Sequence, residues 1–215
     1  MRPSTTDTAR RVLGIPWRVL GTVILCAAMT ACGQRHSPFA LHEISGLMPA
    51  LQFNLSDQDG KSVTAADYRG RIVLLYFGYT SCPDECPTTL AKLAKVMRSL
   101  GRESDQVRVL FVSVDPKRDT AAVLKRYVSY FGPQFIGLRS GTDGPLDDLT
   151  RRYRVAYHRE PPDRSGDYAV DHSSAIFIFD RDARVRLLAN GTETAPEIVH
   201  DLRQLMGAPS PARTL

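Results

Sequence analysis

Two spacings of hydrophobic residues alternate along the chain. The segments Ile72–Phe77 and Val107–Val114 are almost continuously apolar, which is typical of strands buried on both faces. Between them, Thr88–Leu100 places apolar residues three or four positions apart, as on one face of a helix. These helical positions are Leu90, Leu93, Met97 and Leu100. The pattern therefore predicts a helix between two central strands of a sheet that is covered on both sides.

The rest of the chain continues this alternation. Leu51–Leu55 has the period of a strand, and the turn signal that follows it predicts a hairpin near the N-terminus. The later expected elements are a helix at 119–131, a strand at 135–138, a helix at 145–155, a polar loop at 157–168, a hairpin of strands 174–179 and 185–189, and a last helix to 207 with a capping box at 194–197. This order predicts an α/β protein with a thioredoxin-like fold: a central sheet, flanking helices and an added N-terminal β-hairpin.

The stretch Thr80–Pro87 carries two cysteines directly after the first central strand. Proline is tolerated in a helix only in the first turn, so Pro87 places Cys82 and Cys86 in a loop that opens the helix. Free N–H groups and the helix dipole there favour thiolates, so we expect lowered thiol pKa values. Two such sulfurs can exchange disulfides or bind a soft metal ion. Their spacing also allows a Cys82–Cys86 disulfide with small adjustment.

The first 31 residues have the plan of an export signal, with arginines, then the apolar stretch Val19–Met29, then small residues. Met29–Gly33 resembles a bacterial lipobox, which predicts that Cys32 is acylated and becomes the new N-terminus. An ordinary signal or an uncleaved anchor is the alternative, and every version places the folded part outside the cytoplasm. We expect a signal peptide at 1–31, a tether at 32–49, a folded domain at 50–207 and a flexible tail at 208–215, with a lipid anchor on the periplasmic face of a bacterial membrane.

Composition excludes two broad classes of protein. Hydrophobic residues make up 43% of the 215 residues, which is enough for a packed core and excludes disorder over most of the chain. The formal net charge is +5, but residues 1–31 contribute +3 of it, and no single basic stripe with interleaved aromatic residues remains. We therefore expect no nucleic-acid binding.

The chain has four cysteines, of which Cys26 lies in the predicted signal and Cys32 in the predicted lipobox. Cys82 and Cys86 are then the pair in the folded domain. In an oxidising compartment such a pair is often a structural disulfide. A disulfide that closes so short a loop constrains the unfolded chain little, which weakens this interpretation.

Two thiolates leave a trigonal or tetrahedral metal site incomplete, so a third ligand is needed. His172 is the candidate, because it stands directly before an apolar strand, in the loop that faces the cysteine helix in thioredoxin-like folds. The alternative is a hydrogen-bonded histidine that binds no metal. Asp171 is a candidate to orient the imidazole as a hydrogen-bond acceptor, and its alternative is a surface carboxylate.

Three segments, Phe77–Pro87, Ser113–Thr120 and Val170–Ser174, together resemble the Sco/SenC family of copper-binding, thioredoxin-like proteins. The similarity extends over about residues 50–206, which is nearly the whole predicted domain. Three separate motifs in the same order make chance agreement a poor explanation.

The resemblance implies that Cys82, Cys86 and His172 bind copper and that the protein helps to assemble the dinuclear copper centre of cytochrome c oxidase. Thiolates suit Cu(I) and an imidazole also accommodates Cu(II), so such a site can hold either oxidation state. The expected function is that of a metallochaperone. Its expected partner is the copper-site subunit of cytochrome c oxidase or another periplasmic copper protein, and its N-terminal anchor attaches it to a membrane.

Two enzymatic alternatives remain open. The first is a thiol–disulfide oxidoreductase that uses Cys82 and Cys86 as a redox pair to reduce the cysteines of the copper acceptor. The second is a peroxidase, which needs a single reactive cysteine and is supported only by the thiolate chemistry.

Overall fold

The structure, a computed structural model, describes residues 39–164 and 166–207. The strands are β1 His42–Glu43, β2 Asn54–Asp57, β3 Ser62–Thr64, β4 Ile72–Gly78, β5 Val107–Ser113, β6 Phe135–Arg139, β7 Tyr157–Arg159, β8 Val170–His172, β9 Ile176–Phe179 and β10 Val185–Ala189. Eight of these form one sheet in the order β1-β10-β9-β4-β5-β6-β2-β3, and β7 and β8 form a separate two-stranded sheet.

Strand β4 lies at the centre of the large sheet, and all seven of its residues are buried. It runs parallel to β5, with Ile72 opposite Val107 and Gly78 opposite Ser113, and antiparallel to β9. Strand β5 is in turn parallel to β6. The continuous apolar runs predicted these central strands correctly, because both faces of such a strand are buried and its side chains are therefore apolar on both sides.

The helices are α1 Glu85–Leu100, α2 Ala121–Ser129, α3 Asp143–Arg152 and α4 Ala195–Gly207. The apolar positions predicted to face inward from α1 are all buried. At the start of α2, the Thr120 hydroxyl accepts a hydrogen bond from the backbone N–H of Val123. The predicted capping box of α4 is present, with the Thr194 N–H donating to the Glu197 carboxylate at 2.7 Å.

The predicted N-terminal hairpin is formed by β2 and β3, with Asn54 opposite Thr64. Strand β2 also pairs with β6, so the hairpin extends the large sheet at one edge. The turn is held by the Asp57 carboxylate, which accepts the backbone N–H groups of Asp59 and Lys61, each at 2.9 Å. The α/β architecture with an added hairpin is therefore as expected.

Residues 157–168 differ from the polar loop that the sequence predicts. The first three residues form strand β7, which pairs antiparallel with β8. Each strand is only three residues long and mostly polar, so neither shows a hydrophobic period that a sequence pattern could detect. This small hairpin matters because β8 ends at His172.

The segment 39–49, which is part of the predicted tether, packs onto the domain. Leu41 is only 3% exposed, and the two residues after it pair with β10. The Asp201 carboxylate on α4 accepts the backbone N–H groups of Ala40 and Leu41 at 2.9 and 2.7 Å. The folded part therefore begins about ten residues before the predicted boundary.

The predicted signal peptide at 1–31, the lipidation site Cys32 and the tail at 208–215 lie outside the described residues. Among the helices of 39–164 and 166–207, none has the length and apolar character needed to span a membrane.

Candidate metal centre

Strand β4 leads directly into the segment that carries the cysteines. The helix begins at Glu85, three residues earlier than predicted, so Cys86 and Pro87 lie in its first turn. Pro87 is acceptable there because the first N–H groups of a helix have no partner within it. Cys82 lies in the loop before the helix, where its N–H donates to the Tyr79 carbonyl at 3.3 Å.

The two cysteines are free thiols in the structure, but their surroundings differ. Cys86 is 0% exposed, whereas Cys82 is partly exposed. The backbone N–H of Cys86 donates to the Cys82 sulfur at 3.4 Å, so the start of α1 supplies a donor to the outer sulfur. The pair therefore has a buried member and an accessible member.

The expectation of lowered thiol pKa values is wrong for Cys86. Burial raises the pKa of its thiol to about 12, and a hydrogen bond from the backbone of Tyr79 only partly opposes that effect. The helix terminus favours the thiolate, but removing the sulfur from water disfavours the charged form more strongly. A metal ion that binds there must displace a firmly held proton.

His172 lies beside these cysteines, as its position in the sequence predicts. Its Nε2 atom is 3.2 Å from the Cys86 Sγ atom. One ligand atom from each of Cys82, Cys86 and His172 lies within 4.8 Å of the other two. The small hairpin places the imidazole, because His172 ends β8 and is paired with Tyr157 in β7.

The other nitrogen of the imidazole has a different partner from the one expected. The Nδ1 atom lies 3.0 Å from the carbonyl oxygen of Ser173, whereas Asp171 is exposed on the opposite side of the strand. A carbonyl oxygen can only accept, so this contact assigns the proton to Nδ1 and leaves a lone pair on Nε2. The Ser173 backbone, and not Asp171 as predicted, therefore orients the imidazole. The unprotonated Nε2 atom, which is the form that binds a metal ion, points toward the Cys86 sulfur.

Two tyrosines enclose the imidazole. The Tyr79 ring meets it edge-on, with centroids 6.0 Å apart, and the Tyr76 ring does so at 6.1 Å. Gly78 lies between them in the chain, and an ideal Cβ built on it would be only 2.8 Å from the Cys86 sulfur. The sulfur therefore occupies space that only glycine leaves open on β4.

Asp119 holds the cysteine-bearing loop in place through hydrogen bonds, a role that the sequence did not indicate. It is 0% exposed and accepts hydrogen bonds from the Thr80 hydroxyl at 2.5 Å and the Ser113 hydroxyl at 2.6 Å. The Thr80 N–H also donates to it, at 3.1 Å. The helix that follows is capped by the Thr120 hydroxyl and not by Asp119.

A second buried carboxylate fastens the segment that leads to β8. Asp115 accepts a hydrogen bond from the Tyr168 hydroxyl at 2.8 Å and forms an ion pair with Arg118. Arg118 also pairs with Asp167 at 2.6 Å and lies over the Tyr168 ring, 3.7 Å from its centroid. These contacts hold the loop before β8, and through it His172, against the end of β5.

A thioredoxin-like domain that brings two cysteines and a histidine together at the start of a helix is the class of protein that this fold and site define. The SCO1/SenC family model matches residues 48–207, so the chain belongs to the SCO1/SenC family. The family predicted from the three sequence motifs is therefore confirmed.

Curated and solved relatives agree with this assignment. The chain is 42% identical over 158 residues to the mitochondrial SCO2 homologue of Bos taurus, a match that covers 73% of this chain and 59% of that protein. It thus spans about three fifths of the length of that relative. The structure of Bradyrhizobium japonicum ScoI with copper bound is 40% identical, with a TM-score of 0.67, and the match covers 73% of this chain and 98% of that one. Arabidopsis thaliana ScoI with copper bound is 32% identical, with a TM-score of 0.68 and coverage of 73% and 97%.

Proposed function

We propose that this protein binds one copper ion through Cys82, Cys86 and His172 and delivers it to, or prepares it for, the dinuclear copper centre of cytochrome c oxidase. The observation that carries the proposal is the convergence of these three ligand atoms to within 4.8 Å. Copper is the cargo of such a protein, and its partner is the copper-site subunit of the oxidase or another periplasmic copper protein.

The donor set fits copper on chemical grounds. Two thiolates and one imidazole match the softness of Cu(I) and also accommodate Cu(II). The imidazole presents Nε2 with its lone pair toward the sulfurs, as a metal ligand must. The copper-bound ScoI structures of B. japonicum and A. thaliana support the choice of copper over zinc.

The experiment that tests this proposal is copper titration of the reduced protein and its His172→Ala variant. We expect one Cu per parent chain, with affinity for Cu(II) at least about tenfold weaker in His172→Ala and an unchanged fold by circular dichroism. The matched control is His158→Ala, which removes an exposed histidine from the same small hairpin. If His172→Ala bound Cu(II) as tightly as the parent and with the same spectrum, the ligand assignment would be wrong.

A thiol–disulfide oxidoreductase that reduces the cysteines of the copper acceptor is the second candidate. The observation that favours it is the partial exposure of Cys82 beside a buried Cys86 thiol. Cys82 would attack an acceptor disulfide and form a mixed disulfide with the acceptor. Cys86 would then attack the Cys82 sulfur and release the acceptor thiol. This chain would end with a Cys82–Cys86 disulfide and the acceptor with two thiols. The reduction potential of the pair and its exchange rate with an acceptor peptide, measured with and without copper, separate the two functions.

For its location, we propose a lipid anchor at Cys32 that holds the domain at the periplasmic face of a bacterial membrane. Mass spectrometry of protein purified from its own membrane tests this directly. An acylated N-terminal Cys32 supports the anchor, and an unmodified residue 32 within a longer chain contradicts it.

A further inference from the structure

The hydroxyl of Tyr76 is a buried polar group that lies close to the metal centre and has no assigned function. The side chain is 0% exposed at the centre of the sheet. Its hydroxyl lies near the Thr89 and Cys86 side chains but forms no hydrogen bond of good geometry with any of the described residues. An unpaired buried hydroxyl is costly, so its presence in a well-packed core calls for a partner in some other state of the protein.

The position of Tyr76 on β4 directs this hydroxyl toward the buried sulfur. Residues two apart on a strand share a face, so Tyr76 lies on the side of the sheet where Gly78 leaves room for the Cys86 sulfur. The Tyr76 ring also contacts the imidazole of His172 edge-on. The Cys86 side chain lies within reach of this hydroxyl. A phenol, with an ordinary pKa of about 10, is a protonated hydrogen-bond donor throughout the neutral range.

The Cys86 sulfur can accept a hydrogen bond from such a donor once a metal ion is bound. A coordinating cysteine is a thiolate, and a thiolate removed from water is stable only with hydrogen-bond donors or cations around it. The Tyr79 backbone N–H supplies one donor to this sulfur. A tyrosine hydroxyl can turn its proton about the C–O bond, so Tyr76 can supply another without moving its ring.

We propose, on the basis of the copper-binding function above, that Tyr76 is a positioning residue of the metal centre whose hydroxyl donates a hydrogen bond to the metal-bound Cys86 thiolate and so favours Cu(I) over Cu(II). A hydrogen bond to a thiolate withdraws electron density from the sulfur. The sulfur then donates less to the ion, which disfavours the higher oxidation state. The sulfur-to-copper charge-transfer transition accordingly lies at higher energy with the hydrogen bond than without it.

The test is Tyr76→Phe, which removes only the hydroxyl. The ratio of Cu(I) to Cu(II) affinity is expected to fall by up to about tenfold, because the strength of one hydrogen bond to a charged group is the upper limit of the difference between the two oxidation states. The charge-transfer band of the Cu(II) form is expected to move to longer wavelength. The metal-free variant should lose little stability, because the hydroxyl forms no hydrogen bond of good geometry there.

The matched control is Tyr68→Phe. Tyr68 is also a buried tyrosine, but its ring packs against Phe53, and the charges that act on its hydroxyl are those of Asp57, Asp67 and Arg108, none of which belongs to the metal centre. This variant should leave the band and the affinity ratio at parent values. A merely structural role of Tyr76 would weaken both oxidation states equally and leave the band in place.

The possible failures are distinguishable. A parent protein that binds no copper overturns the proposed function, and this inference with it. A parent that binds copper, together with a Tyr76→Phe variant of unchanged band and affinity ratio, overturns the inference alone. The same shift in Tyr68→Phe also overturns it, because the effect would then not be specific to the Cys86 sulfur.

Discussion

The Nε2 atom of His172 lies 3.2 Å from the Cys86 sulfur, although 86 positions separate the two residues in the chain. Two independent elements create this contact. Helix α1 presents the sulfur in its first turn, and the β7–β8 hairpin presents the imidazole. The site consequently exists only in the folded protein, and changes that loosen either element should weaken it.

The two thiols should differ strongly in reactivity. Cys82 is partly exposed, whereas burial raises the pKa of Cys86 to about 12. Because the thiolate is the reactive form, iodoacetamide should modify Cys82 more than about tenfold faster than Cys86 in the reduced, metal-free protein at mildly alkaline pH. Peptide mass spectrometry of Cys82→Ser and Cys86→Ser measures each thiol alone. Equal rates in the two variants would contradict the burial of Cys86.

Gly78→Ala should disturb the metal site, because the new methyl group would project from strand β4 toward the Cys86 sulfur. The added Cβ would lie 2.8 Å from the Cys86 sulfur and 2.7 Å from the Phe111 ring, and both neighbours are packed in the core. We expect the free energy of unfolding to fall by about 1–3 kcal/mol, as in other overpacked cores, together with weaker copper binding.

The matched control for this variant is Gly144→Ala in α3, where a new Cβ meets open space. That change should leave copper binding alone and keep or slightly raise stability, because alanine is the better helix former. Urea denaturation and copper titration of both variants supply the measurement. Parent-like copper affinity in Gly78→Ala would show that the sulfur has room to move.

Asp119→Asn should alter both the cysteine-bearing loop and the pH dependence of stability. Burial raises the pKa of Asp119 above its usual value of 3.8, and hydrogen bonds from Ser113 and Thr80 only partly oppose this. A carboxyl with a raised folded-state pKa contributes stability that is present below the unfolded pKa and is lost as the pH rises through the folded pKa. The unfolding free energy of the parent minus that of Asp119→Asn should therefore decrease as the pH rises above the unfolded-state pKa of about 4.

Urea denaturation at several pH values measures that difference. Asp59→Asn is a suitable control, because Asp59 is an exposed carboxylate that pairs with Lys125 at the surface. It should change stability by less than about 1 kcal/mol at every pH. A pH-independent difference for Asp119→Asn would refute the raised pKa.

Asp201→Ala should release the segment that precedes β2. Its carboxylate is 0% exposed and accepts the N–H groups of Ala40 and Leu41. Removing it leaves both donors unpaired, which should lower the free energy of unfolding by about 2 kcal/mol. Hydrogen exchange at Ala40 and Leu41 should become much faster while amides in β4 keep their protection relative to global stability. Unchanged exchange at these two amides would show that other contacts hold the segment.

The hydrophobic spacing of the sequence determined most of the fold. Ile72–Phe77 and Val107–Val114 predict central strands because a strand covered on both faces must be apolar throughout. The helical spacing of the apolar residues in Thr88–Leu100 predicts α1, because one face of this helix packs against the core. Local rules also placed Pro87 in the first turn and Thr194 at a helix start. The motif around the cysteines, with two further segments, was enough to predict the family.

Only the tertiary structure decided the properties that depend on contacts between distant segments. Burial of Cys86 outweighs the helix terminus and raises its pKa, and no local pattern measures how much water a sulfur loses. The acceptor for the His172 Nδ1 atom is a backbone carbonyl, which every residue carries and no residue type signals. Asp119 and Tyr76 acquire their places at the site from strand pairing and packing. Hydrophobic periods report which face of an element is buried, but the neighbours of a polar group in that interior follow from the assembled fold.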